Sequence, residues 1–153
     1  MCSTPAVPEQ ILTTHTIEFP YTRTLGPVIG PFLTGLRDGH VLGVRNRDGR
    51  VLVPPLEWDP ATGEAIDADF VEVGPGGTVE TWAWVTEPTR KHPLDHPFAF
   101  ALIRLDGADT ALLHAVDAGS IDRMHTGMRV VARWKDERVG HITDLSFVPE
   151  EAG

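Results

Sequence analysis

The densest group of ionisable side chains in this sequence is His92-Pro93-Leu94-Asp95-His96-Pro97. Two imidazoles and a carboxylate at this spacing are the raw material of acid/base catalysis or of a metal pair. The two prolines argue against both, because they forbid the helical turn that would set His92 and His96 on one face. A solvated loop between strands is the simpler reading, with contact to a partner or a bound nucleotide lying between the extremes. Were the histidines catalytic, the chain would be a stand-alone hydrolase or hydratase.

Other residues carry binding chemistry. Arg37, Arg45, Arg47 and Arg50 concentrate positive charge in an acidic protein and suit phosphate groups or an acidic partner, although a solvated hairpin bearing arginines explains them as well. Trp82 and Trp84 suit an adenine ring or a partner helix, or else cover the barrel from outside. Phe19 and Tyr21, with Phe32 and Leu36 further on, are candidate partner contacts. Gly74-Pro75-Gly76-Gly77 lacks the helix and the Lys-Ser/Thr end of a phosphate loop, so it reads as a turn. No serine lies in a Gly-x-Ser-x-Gly elbow; Ser120 reads as a helix cap, with Asp117 and Asp122 as helix-start charges.

The elements that must position these groups are mostly strands. Residues 1–15 lack apolar periodicity and form part of an extended arm over 1–27, with Ile17 to Tyr21 a short extended segment. A short amphipathic helix starts at Pro31 and stops at Asp38-Gly39. His40 to Asn46 and Arg50 to Val53 make a hairpin turned by Arg47-Asp48-Gly49. A barrel is expected from Asp69, over residues 69–149, with Phe70, Val71 and Val73 leading into Gly74-Pro75-Gly76-Gly77 and an alternating strand over Thr78 to Thr86. Within it, Val79, Thr81, Ala83 and Val85 point one way and Glu80, Trp82, Trp84 and Thr86 the other. Strands follow at Phe98–Leu105, Thr110–Val116 and Gly127–Trp134, the last read as the fifth of the barrel. A helix is expected near Ser120–Met124, and Ile142–Val148 closes the domain before an acidic tail over 150–153.

The 153 residues, 41% of them hydrophobic, suffice for one core without disulfides. The single cysteine, Cys2, excludes an intramolecular disulfide and a cysteine metal cluster. A net charge of −9 repels a polyphosphate backbone, which argues against nucleic acid as a partner. Neither a membrane span nor a signal peptide is evident, so the expected location is the cytoplasm.

Arg45-Asn46-Arg47-Asp48-Gly49 and Asp59-Pro60-Ala61-Thr62-Gly63 have the outline of two zinc-ribbon knuckles, with Arg45, Asp48, Asp59 and Thr62 where four cysteines would stand. Phe32 to Arg37, Gly49, Pro54-Pro55, Gly77-Thr78-Val79, Ala101-Leu102-Ile103 with Leu105, and Gly127-Met128-Arg129-Val130 follow in order over residues 28–149. The chain thus resembles the zinc-ribbon/OB-fold proteins that accompany thiolase-superfamily enzymes in acyl-CoA metabolism, in a form without the zinc cysteines. The closest fit is to companions of steroid side-chain thiolase-fold aldolases.

That resemblance implies a mainly β protein: a helix and a degenerate, metal-free ribbon over 28–68, then an OB-like barrel. It also implies a non-catalytic subunit of a lyase complex, whose thiolase-fold partner performs retro-aldol or acyl-transfer chemistry on acyl-CoA. A CoA ester is the possible ligand, its phosphates on the four arginines, with no zinc and no tightly bound cofactor. An independent acyl-CoA-binding protein is the alternative. In place of zinc, an ion pair from Arg45 to Asp59 or Asp48 is expected to tie the ribbon, at about 0 to 1 kcal/mol.

Overall fold

The computed structural model describes residues 11–151; Cys2, the first ten residues of the expected arm and the last two of the expected tail lie outside them. Helix α1 (Gly26–Asp38) leads into β1 (Val41–Arg45), β2 (Val51–Leu52) and β3 (Phe70–Val73). Five further strands follow: β4 (Gly76–Val85), β5 (Phe98–Leu105), β6 (Leu112–Val116), β7 (Arg129–Trp134) and β8 (Leu145–Pro149). They close into a barrel in the order β4-β5-β6-β8-β7, with β8 parallel to β6 and β7 antiparallel to β4. This is the five-stranded Greek-key barrel of OB type.

Helix α1 starts five residues before the expected Pro31, with Pro27 in its first turn and Pro31 inside. Pro27 sits where amide hydrogens have no intrahelical acceptor, so it costs nothing there. Gly39 ends the helix with φ 86°, a left-handed conformation that glycine reaches without strain. Phe32 and Leu36, expected to meet a partner, are 4% and 0% exposed and pack in this chain's own core. The helix has a single apolar stripe, and the β-layers beneath already use it.

The strand expected to open the barrel, Phe70–Val73, instead joins β1 as the third strand of a separate sheet, ordered β2-β1-β3. Arg129–Trp134 is therefore the fourth barrel strand, and Leu145–Pro149 the fifth. The expected helix near Ser120 is a single 3-10 turn at Ile121–Arg123, and Ser120 makes no side-chain cap bond. The acidic tail is partly tied, since Glu150 accepts from Arg129 at 3.1 Å.

One apolar cluster unites the two sheets, from Phe32 and Leu36 through Val41, Val51 and Val53 to Ile103, Val130 and Phe147. Glycines let the strands approach: a Cβ on Gly77 would lie 2.8 Å from the Ile103 side chain and 2.9 Å from the Arg104 carbonyl oxygen.

Strand β4 does not keep the alternation read from its sequence. A bulge between Val79 and Thr81 adds one residue, Glu80, and reverses the faces beyond it. Val79 points inward before the bulge; after it Trp82 and Trp84 turn to the core side, leaving Thr81 and Ala83 exposed. The indoles lie opposite Ala101 and Ala99, small residues that leave them room. Both tryptophans are thus partly buried barrel cover.

Candidate functional site

The two knuckle-like turns are joined by a buried hydrogen bond. Asn46 Nδ2 donates to Asp59 Oδ2 at 2.8 Å, and both residues are over nine-tenths buried. Asn46 Oδ1 accepts the Arg50 amide at 2.9 Å, while Asp59 Oδ1 accepts the Ala61 amide at 2.8 Å. The amide of Ala61, then the Asn46 side chain, hold the Asp59 carboxyl below its ordinary range. Arg45 does not take the expected partner: it pairs with Asp69 at 3.4 Å on the surface.

A second tie fixes the three-stranded sheet to the barrel. The Val51 amide donates to Asp109 Oδ2 at 2.8 Å and the Asp109 amide donates back to the Val51 carbonyl oxygen at 2.8 Å. Thr110 Oγ1 accepts from the Val53 amide at 2.8 Å and donates to its carbonyl oxygen at 3.1 Å. The β5–β6 loop thereby caps the outer edge of β2.

Three of the four arginines expected to bind CoA phosphates, Arg37, Arg45 and Arg47, have carboxylate partners. Arg37 pairs with Asp38 at 3.2 Å, and Arg47 with Glu64 at 3.1 Å. Arg45 and Arg47 share a pocket of about 110 Å³ with Asp67 and Asp69, so carboxylates oppose them locally. Arg50 makes no ion pair among the described residues, but lies close enough to Asp59 to lower its pKa.

The structure also separates the roles of His92 and His96. His92 Nδ1 accepts the Thr89 amide at 2.8 Å, and its ring packs against Phe98 and Phe100 at centroid distances of 5.8 and 6.0 Å. His96 lies between carboxylates, Nδ1 3.0 Å from Asp95 and Nε2 3.1 Å from Asp117. Those hydrogen bonds, Asp95 first, raise its pKa. Burial alone would raise Asp117, but Arg133, at 2.9 Å, and His96 outweigh it and hold the carboxyl low. Asp117, read from sequence as a helix-start charge, is the anchor that binds the β4–β5 loop to the barrel.

His92 lines an open cleft of about 300 Å³ where the β4–β5 loop, β5, β6 and the β7–β8 loop meet. Phe100, Leu113 and Ile142 give it apolar walls; Lys91, His114 and His141 add polar groups. Leu113 is 61% exposed although it stands on a barrel strand. His114 is buried and fully engaged: Nδ1 accepts the Ala115 amide at 2.7 Å and Nε2 donates to the Ile142 carbonyl oxygen at 3.1 Å. Burial pushes its pKa below the ordinary 6.5, favouring this neutral tautomer.

The loop on the opposite rim is built around Asp144. Its Oδ2 accepts the backbone amides of Val139, Gly140 and His141 at 3.0, 2.7 and 3.0 Å. Burial alone would raise this carboxyl; the amides, that of His141 foremost, reverse the direction and lower it. Arg138 Nε donates to the Arg37 carbonyl oxygen at 2.8 Å, tying the same loop to α1.

His114, His141 and Asp144 escaped the sequence reading because His114 stands far along the chain from the other two; the Asp four residues after Gly140 was the one local clue, as a carboxylate able to collect turn amides. Among the described residues no group of three or more His, Cys, Asp or Glu side chains is arranged to hold a metal. None of their helices is long and apolar enough to cross a membrane.

Residues 70–135 match the family described as ChsH2, C-terminal OB-fold domain. Among solved structures, the Ltp2-ChsH2(DUF35) aldolase aligns with 84% of this chain and 98% of its own, at 20% identity and a TM-score of 0.63. A protein of unknown function from the DUF35 family of Sulfolobus solfataricus aligns with 82% of this chain and 85% of its own, at 19% identity and a TM-score of 0.61. Both likenesses establish a shared fold. No curated protein matches the chain by sequence.

Proposed function

We propose that the protein is the non-catalytic companion subunit of a thiolase-superfamily aldolase, on the match of residues 70–135 to the ChsH2 C-terminal OB-fold family. The family match of the barrel carries this reading. The solved structure titled as an Ltp2-ChsH2(DUF35) aldolase has the same fold over nearly its whole chain. Within the cleft, His114 uses both ring nitrogens to hold the barrel and a loop, a structural duty rather than proton transfer. The partner enzyme supplies the catalytic groups, and its substrate class is a β-hydroxyacyl-CoA, with steroid side-chain CoA esters the favoured acyl group. Cleavage between the α and β carbons then releases a carbonyl compound and a shortened acyl-CoA.

The test is to purify the chain alone and together with its thiolase-fold partner, and to follow CoA-ester cleavage. Turnover by the pair and none by the lone chain is expected. Turnover by the lone chain, abolished in His96→Ala, would replace this reading with a histidine-dependent hydrolase.

The cleft of about 300 Å³ favours a second reading, an independent acyl-CoA-binding protein. Its apolar walls suit an acyl or pantetheine segment, and Lys91 suits a phosphate. Micromolar binding of a CoA ester by the lone chain, weakened in Leu113→Asp, would favour it.

A further inference from the structure

Between residue 11 and α1 the chain is exposed at every position and joins no strand or helix. Ile17, Phe19 and Tyr21 are 66%, 82% and 81% exposed. Its contact with the barrel is slight, an Arg90–Glu18 approach of 4.0 Å. Yet its composition is that of a strand: Thr13, Thr14, Thr16, Ile17, Phe19, Tyr21 and Thr22 are β-branched or aromatic. From Thr16 to Thr22 apolar and polar residues alternate, Ile17, Phe19 and Tyr21 against Thr16, Glu18 and Thr22.

Pro20 gives this strand one usable edge. In an extended chain the backbone groups of odd-numbered residues point to one side and those of even-numbered residues to the other. Pro20 lacks an amide hydrogen, so the even edge is broken, while Ile17, Phe19 and Tyr21 keep a complete odd edge. The same three residues direct their side chains to one face.

We propose that residues 16–22 add as an edge strand to a β-sheet of the partner enzyme subunit, bonding through Ile17, Phe19 and Tyr21 and burying their side chains on an apolar border of that sheet. This inference rests on the companion-subunit reading. The chain itself offers no fitting edge among the described residues: the barrel is closed and Asp109 and Thr110 cap β2. Since the Arg45 amide donates to the Asp69 carbonyl oxygen, the register leaves only Phe70 and Glu72 of β3 with backbone groups facing outward. Two residues are one short of the arm's three, so a second copy is a poorer fit than a heterologous sheet.

The test uses the full-length chain and the thiolase-fold subunit that co-purifies with it stoichiometrically, identified by mass spectrometry. Residue-resolved hydrogen exchange should slow at the amides of 17, 19 and 21 in the complex and stay fast at 18 and 22. Phe19→Pro should weaken the complex about tenfold more than Phe19→Ala, through the lost hydrogen bond. Thr22→Pro and Thr22→Ala should behave alike, and all four variants should melt as the parent does. A complex whose arm amides exchange fast, or slow uniformly, would overturn strand addition while leaving the companion reading intact. Homodimerisation through the arm would overturn the heterologous partner, and a chain that never assembles with a thiolase-fold subunit would remove both the inference and the reading beneath it.

Discussion

His114 and His96 respond to pH in opposite senses. His114 is held neutral by burial, so its folded pKa lies below 6.5. Its contribution to stability is complete above its unfolded value and is lost as pH falls through the lowered folded one. His96, with Asp95 and Asp117 on its two ring nitrogens, has a raised pKa. Its contribution is complete below its unfolded value and disappears as pH rises through the raised folded one. Between about pH 7 and about pH 5 the parent should lose more stability than His114→Gln in denaturant titrations. On the alkaline side, exchange of the β4–β5 loop amides, corrected for intrinsic rates, should accelerate with pH in the parent and lose that dependence in His96→Ala. Asp144→Ala strands three inward-facing amides and should cost about 2 kcal/mol of stability. Asn46→Ala should lower the melting midpoint, whereas a metal chelator should leave the parent's midpoint unchanged; a large fall with chelator would contradict a ribbon held by Asn46 and Asp59.

Elements explain where sequence reading succeeded and where it stopped. Phe98–Leu105 was legible to the residue, because an apolar run between Pro97 and Asp106-Gly107 has one plausible conformation. The bulge in β4 was not, since Glu80 is an ordinary strand residue whose extra place is set by the register with β5. Missing it put both tryptophans on the wrong face. Phe70–Val73 looked like the first barrel strand because strand composition does not name a partner, and it pairs with β1 instead. Of the site, His92 was found from its motif, while His114 and His141 meet it only through long-range pairing. Deletion of Glu80 should therefore be far less disruptive than deletion of Ala83: the first removes the extra residue and keeps Trp82 and Trp84 on the core side, while the second turns Trp84 outward. Circular dichroism and chemical denaturation of the two variants would show the difference. Gly77→Ala should cost about 2 kcal/mol or more, as strand separation cannot widen in a closed barrel.

At the scale of the molecule, the three-stranded sheet and the barrel share one core. The protein's surface is acidic overall, which disfavours the nucleic-acid binding that many OB barrels perform. Two parts of what the fold leaves uncovered are apolar: the arm with Phe19 and Tyr21, and the cleft wall at Leu113. Such surface is costly on a lone monomer and ordinary in a permanent subunit. The most direct test is affinity purification of the tagged full-length chain from its native host, followed by size-exclusion chromatography and mass spectrometry. The account predicts a stable stoichiometric complex with a thiolase-fold protein. A well-behaved monomer that retains no such partner would contradict it and bring CoA-ester binding by the lone barrel to the fore.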